Sequence, residues 1–232
     1  MTLIPAWVKS GLDTALAPIV ARLITGRVQP NIITTVAALV VLAGAVAFGG
    51  GLTQWGGALV LLSGGLDMVD GKVARHSGTT SKFGAFYDST LDRVGDAALF
   101  GGIATYFLRG GAPPGWMTEA VLVTIFTLAA GLLVSYTRAR AEGLGLDCKV
   151  GIATRAERIL LLGVPTMFLG AGPDGYLLLG IVAVLALIGM VTVVQRVVYV
   201  YRITREVTVS SPRREPATAP IGESLGKGRS GV

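Results

Sequence analysis

Five aspartates, Asp67, Asp70, Asp88, Asp92 and Asp96, fall within the stretch LDMVDGKVARHSGTTSKFGAFYDSTLDRVGD that runs from Leu66 to Asp96. Apolar runs flank it, LVLLSGG before and AALFGGIATYF after. Acids inside apolar helices are expensive: the lenient insertion scale charges about 3 kcal/mol for each central Asp, so four left ionised and unpaired cost on the order of 10 kcal/mol. Their spacing suggests what compensates them. Asp67 and Asp70 stand at i,i+3 and share a helix face; Asp88 and Asp92 stand at i,i+4, with Asp96 one turn further along the same face. Two facing helices can therefore converge four carboxylates on one point, and hard oxygen donors grouped in this way suit Mg²⁺ or Mn²⁺. A pair of such ions about 4 Å apart can clamp a diphosphate and an attacking oxygen. Gly71, Ala74 and Gly84 remove side-chain bulk where backbones or a ligand must approach, and Arg75 supplies a fork for phosphate oxygens. Asp92, the last of the four candidate ligands, can serve as a base as well as a ligand.

The elements that must position these groups are helices in a membrane. Of 232 residues, 52% are hydrophobic and only 15% charged, with a mean hydropathy of +0.66. A soluble domain carries about a quarter charged residues, so the expectation is an all-α integral membrane protein. The single cysteine, Cys148, excludes a disulfide framework. Residues 1–30 are too charged to span; Trp7, Leu12, Leu16, Val20, Leu23 and Ile24 follow a helical period and predict an amphipathic surface helix, with a bend possible at Pro18. Six transmembrane helices follow within 31–205, at about 31–50, 55–75, 83–108, 116–140, 159–171 and 176–202, with Asn31 as the cap of the first. The fifth is extended backwards by the helix that carries Arg155 and Arg158. Residues 206–232, rich in Pro, Ser, Gly and Arg, read as a disordered cytoplasmic tail.

An even number of spans puts both ends on one side. Lys72, Arg75, Lys82, Arg138, Arg140, Lys149, Arg155, Arg158, Arg202 and Arg205 all fall on the side of the termini, whereas the opposite loops offer only Arg109. The positive-inside rule makes the side of the termini cytoplasmic in a plasma membrane and places the carboxylates at a cytoplasmic mouth. The formal charge of +6 thus points to loops facing an anionic leaflet and not to nucleic acid. A cation- or proton-coupled transporter is the rival reading of buried acids, but it predicts acids at the bilayer midplane and an inverted repeat, and no internal repeat is visible.

Written as D67-x2-D70-G71-x2-A74-R75-x8-G84-x3-D88-x3-D92, the stretch resembles at every fixed position the signature of the CDP-alcohol phosphotransferases. The resemblance implies transfer of a substituted phosphate from a CDP-linked donor to an alcohol, with release of CMP. It implies that Asp67, Asp70, Asp88 and Asp92 hold two Mg²⁺ or Mn²⁺ ions and that Asp92 deprotonates the acceptor. By the same resemblance Gly71, Ala74, Arg75, Ser81 and Gly84, with Asp67 and Asp70 and the segment Asn31, Ile32, Ile33 and Thr34, line the site for the CDP-linked lipid. A homodimer is also implied.

The stretches SYTRARAEGLG (135–145) and IATRAER (152–158), with Gln195-Arg196, place Arg138, Arg140, Arg155, Arg158 and Arg196 near the same mouth. Guanidinium groups bind phosphate oxygens bidentately, so Arg138, Arg155, Arg158 and Arg196 are the candidate ligands of a phosphorylated polyol acceptor. These stretches are similar to those of the actinobacterial phosphatidylinositol phosphate synthases, a type within the family that joins CDP-diacylglycerol and inositol phosphate. Phosphatidylglycerol phosphate synthesis, with glycerol 3-phosphate as acceptor, is the alternative that arginines alone leave open.

Overall fold

The computed structural model describes residues 6–210 apart from 27 and 153, and among them every regular element is helical. α1 (Ala6–Thr25) is continuous through Pro18. α2 (Pro30–Gly49) begins with its proline, whose missing N–H costs nothing in a first turn, and Gln29 occupies the cap position in extended conformation. Asn31, expected as the cap, instead lies inside that turn, and its side chain is free to face the cavity described below. Gly51, at φ 86°, turns the chain into α3 (Thr53–His76). Ser81 starts α4 (Lys82–Tyr106) by accepting a hydrogen bond from the Gly84 amide at 2.9 Å. α4 ends in a single π-turn, Phe107–Gly111.

α5 (Met117–Gly143) leads through a loop to α6 (Arg155–Leu169). The start of α6 is sharply set: Glu157 Oε2 accepts the Thr154 amide at 2.7 Å, half of a capping box, and this makes Arg155 the first helical residue. A one-turn 3₁₀ segment, Pro173–Gly175, precedes α7 (Tyr176–Ser210). α7 has 35 residues, so at about 1.5 Å per residue it is far longer than a bilayer core. Residues 206–210, expected in the tail, continue this helix because no breaker precedes Pro212. The remainder of the expected tail, 211–232, lies outside the described residues.

Length and apolarity qualify α2, α5 and the 173–205 helix to cross a membrane. α3 and α4 are long enough, at 24 and 25 residues, but carry the aspartates, and α6 has only 15 residues. α2 packs on both α3 and α4, α6 packs on α3, and α5 packs on α7. The main core, with Phe48, Val60, Ile103, Phe107, Leu162, Leu178 and Leu185 almost fully buried, fills the half of the bundle reached by the C-terminal ends of α2 and α4 and the start of α7. Close approach there needs glycine: a Cβ on Gly57 would lie 2.6 Å from the Met167 amide nitrogen, and one on Gly102 would run into the Ala45 carbonyl. A second cluster, Val20, Ile33, Val69 and Val73, docks α1 at the other end of the bundle.

Candidate active site

The opposite half, where α2 and α4 begin and α3 ends, is polar and hollow. A cavity of about 700 Å³ opens there between α2, α3 and α4. Its walls include Asn31, Thr34, Asp70, Gly71, Ala74, Arg75, Ser81, Gly84 and Asp88, nearly all of the signature residues expected at a nucleotide site. The glycines are spaces: a Cβ on Gly84 would come within 3.1 Å of Ser81 Oγ and 3.3 Å of Asn31 Oδ1, and a Cβ on Gly71 within 3.3 Å of the Arg75 guanidinium. Three expected lining residues do not reach the cavity, and one of them, Asp67, turns instead to Arg155 of α6. Ile32 points outward at 54% exposure, and Ile33 is buried in the cluster that docks α1, because consecutive helical residues are about 100° apart and Asn31 and Thr34 take the inner face. Gln29, Thr79 and Thr80 line the cavity unforeseen, since the approach of their loops to one another has no periodic signature.

The four carboxylates divide into two pairs. Asp70 and Asp88 face the cavity. Asp70 is almost fully buried, and Thr34 donates its hydroxyl to Asp70 Oδ2 at 2.7 Å. Asp67 and Asp92 turn toward α6, where the Arg155 guanidinium stands between them, 2.9 Å from Asp67 Oδ2 and in ion-pair contact with Asp92 Oδ1. Among the described residues no group of three or more acidic, histidine or cysteine side chains is gathered closely enough to hold an ion. The expected convergence of all four on one point is replaced by this division, because the Arg155 guanidinium draws Asp67 and Asp92 toward α6, outside the α3–α4 pair.

The donor set nevertheless fits divalent ions. It consists of hard carboxylate oxygens on two facing helices, and a positive charge is already required between two of them. Asp67 Oδ2 is buried and lacks an aligned hydrogen bond even with Arg155 nearby, so it retains a lone pair for a metal.

The other arginines have distinct settings. Arg158 pairs with Asp96 at 3.3 Å. Arg196 is buried; its Nε donates to the Val150 carbonyl at 2.9 Å and an Nη to the Val134 carbonyl, which straps the loop before α6 onto α5 and α7. Arg138 is half-exposed and pairs with Glu142 at 2.8 Å, and Arg140 is exposed. Arg93, which could have partnered the carboxylates, donates to the Ser89 carbonyl in its own helix. Of the four expected acceptor ligands, then, only Arg155 is brought directly onto the carboxylate cluster.

An all-helical bundle with this motif around a cavity defines a class that sequence comparison names. The model of the family described as CDP-alcohol phosphatidyltransferase matches residues 27–195, and the chain belongs to that family. The phosphatidylinositol phosphate synthase of Streptomyces avermitilis is 39% identical over 220 residues, covering 92% of this chain and 86% of the relative. Among solved structures, the phosphatidylinositol phosphate synthase of Mycobacterium tuberculosis with CDP-DAG bound superposes with a TM-score of 0.66 at 28% identity, covering 88% of this chain and 98% of that one. The same enzyme in complex with manganese and citrate gives a TM-score of 0.64 at 28% identity, covering 89% of this chain and 95% of that one.

Proposed function

We propose that this protein transfers the phosphatidyl group of CDP-diacylglycerol to inositol phosphate and releases CMP. The observation that carries the reading is the adjacency of two sites: a cavity walled by the signature residues, and Arg155 on the far side of the same carboxylates. The likeness to the phosphatidylinositol phosphate synthases supports the choice of donor and acceptor. In this reading Asn31, Thr34, Gly71, Ala74, Arg75, Ser81 and Gly84 seat the cytidine diphosphate head. Asp67, Asp70, Asp88 and Asp92 would hold two Mg²⁺ or Mn²⁺ ions, which supply charge neutralisation at the diphosphate.

The chain's own groups do the rest. Arg155 turns its guanidinium from Asp92 to the phosphate of the acceptor, and Asp92, so released, takes the proton of the attacking hydroxyl. The hydroxyl oxygen bonds to the phosphorus that carries the diacylglycerol; the bridging P–O bond of the diphosphate breaks, and its electron pair leaves with CMP. Arg75 stands at the cavity wall to steady the departing phosphate.

The six-span arrangement belongs to the same proposal. α3, α4 and α6 join the more apolar helices in crossing the bilayer, their acids clustered at the cytoplasmic mouth together with most of the basic residues, and α1 lies at the surface of the plasma membrane. Residues 31–205 form the catalytic domain, which functions as a homodimer, and 206–232 extend into the cytoplasm. Purified protein given CDP-diacylglycerol with inositol phosphate, inositol, glycerol 3-phosphate or serine tests the substrates. Phosphatidylinositol phosphate is the expected product by mass spectrometry; a product only with glycerol 3-phosphate would establish the alternative acceptor.

A further inference from the structure

One ion pair near the site is not used by the reaction. Asp96 follows Asp92 by one turn of α4, and Arg158 follows Arg155 by about one turn of α6. Arg155 reaches Asp92 and Arg158 reaches Asp96, so the two pairs form successive rungs between the same two helices. The lower rung is well enclosed, with side-chain exposures of 10% for Arg158 and 18% for Asp96.

Among the described residues the backbones of the two helices joined by these rungs do not approach each other closely, although both send side chains into the main core. Among the described residues α6 packs on α3 and α7, and neither α4 nor α5 approaches it closely through the backbone. Arg158 crosses that gap. Its guanidinium lies over Gly131 of α5 so closely that a Cβ there would meet Nη1 and come within 3.6 Å of Cζ. A glycine at this position leaves the space that the guanidinium fills. Arg158 therefore ties α6 to α4 through Asp96 and rests on α5 at Gly131, one turn inward from the reactive carboxylates.

We infer that Asp96 and Arg158, seated on Gly131, are a positioning pair that sets the register of α6 against α4 and so holds Arg155 between Asp67 and Asp92. Arg158 acts on the acceptor through Arg155, not by contact. At this end α6 is also held by Arg155 against Asp67 and Asp92 and by Ile159 against Gly64 of α3, and the Asp96–Arg158 pair adds the tie that engages both α4 and α5. Side-chain truncation of either partner strands the other's charge in an enclosed site and lets α6 move. Displacement of a binding group by about 1 Å costs on the order of 100-fold in rate. The inference rests on the proposed role of Arg155 in acceptor binding.

The test uses the full chain with CDP-diacylglycerol and inositol phosphate, and compares Asp96→Asn, Arg158→Gln, the double variant, Gly131→Ala, Arg158→Lys and Arg155→Ala. Asp96→Asn, Arg158→Gln and Gly131→Ala are each expected to raise the acceptor KM at least about tenfold while the CDP-diacylglycerol KM stays within about twofold. The double variant is expected to be no worse than the worse single one, because both act through one tie. Arg158→Lys, which can still reach Asp96, is expected to restore most of the loss and also serves if Arg158→Gln fails to fold. A further rise in acceptor KM when Arg158→Gln is added to Asp96→Asn would show direct contact with the acceptor and overturn the inference. A lower melting midpoint with both KM values unchanged would also overturn it, since the pair would then be structural alone. An unchanged acceptor KM in Asp96→Asn beside a raised one in Arg155→Ala overturns this inference by itself; an unchanged KM in Arg155→Ala overturns the acceptor reading and this inference with it.

Discussion

Thr34→Val isolates the support of one carboxylate. The Thr34 hydroxyl is buried at 5% exposure and meets Asp70 Oδ2 at 2.7 Å, with the Pro30 carbonyl 3.1 Å away on the same helix. Valine keeps the β-branched shape, so helix packing is preserved and only the polar contact is lost. A hydrogen bond to a charged group contributes about 1.5–3 kcal/mol, equivalent to roughly 10- to 150-fold in an equilibrium constant. Loss of a supporting contact behind a metal ligand typically weakens metal binding by about 10–100-fold, which agrees. Thr34→Val is therefore expected to weaken Mn²⁺ binding by about 10–100-fold, read from free Mn²⁺ by electron paramagnetic resonance without any substrate. Thr34→Ser, which restores the donor, should bind Mn²⁺ nearly as the wild type does. Binding in Thr34→Val within about twofold of the wild type would refute the argument that this hydroxyl orients Asp70 for an ion.

Asp92→Asn should lower turnover by at least about 100-fold while nucleotide binding, measured by calorimetry with CDP, persists. Arg155→Ala should raise the acceptor KM by roughly 10–100-fold, far more than the KM for CDP-diacylglycerol, because a charge-assisted phosphate contact is removed. Arg196→Ala removes the donor of the Val150 carbonyl, while the Val134 carbonyl keeps the Thr137 hydroxyl at 3.1 Å, so the cost is about 1–3 kcal/mol in all and the melting midpoint should fall by roughly 2 °C or more.

Much of the site is legible in the chain because its chemistry is local. Asp67 and Asp70, like Asp88 and Asp92, take their relation from helical spacing alone, and Ser81 and Gly84 are joined by a cap that spans three residues. The first three predicted spans lie within a few residues of α2, α3 and α4 for the same reason: apolar runs end at Gly-rich turns. Relations between distant segments are not legible. Nothing in the residues around Arg196 indicates that its guanidinium would be taken up by carbonyls from α5 and the loop before α6. The space at Gly131 for Arg158 is equally invisible, since it depends on two helices far apart in the chain. Basic residues at a membrane mouth look alike in sequence; which of them stays available for a ligand is decided by the partners that packing brings to it. The inward turn of Asn31 and the outward turn of Ile32 follow from where α2 begins, one residue before the expected cap.

The central claim is that the acids of α3 and α4 hold divalent cations. Crystals grown with Mn²⁺ and measured at the manganese absorption edge test it most directly. Anomalous density bounded by Asp67, Asp70, Asp88 and Asp92, with the Arg155 guanidinium moved off Asp92, is the expected result. Density absent from that position, with Arg155 still lodged between Asp67 and Asp92 at saturating Mn²⁺, would contradict it.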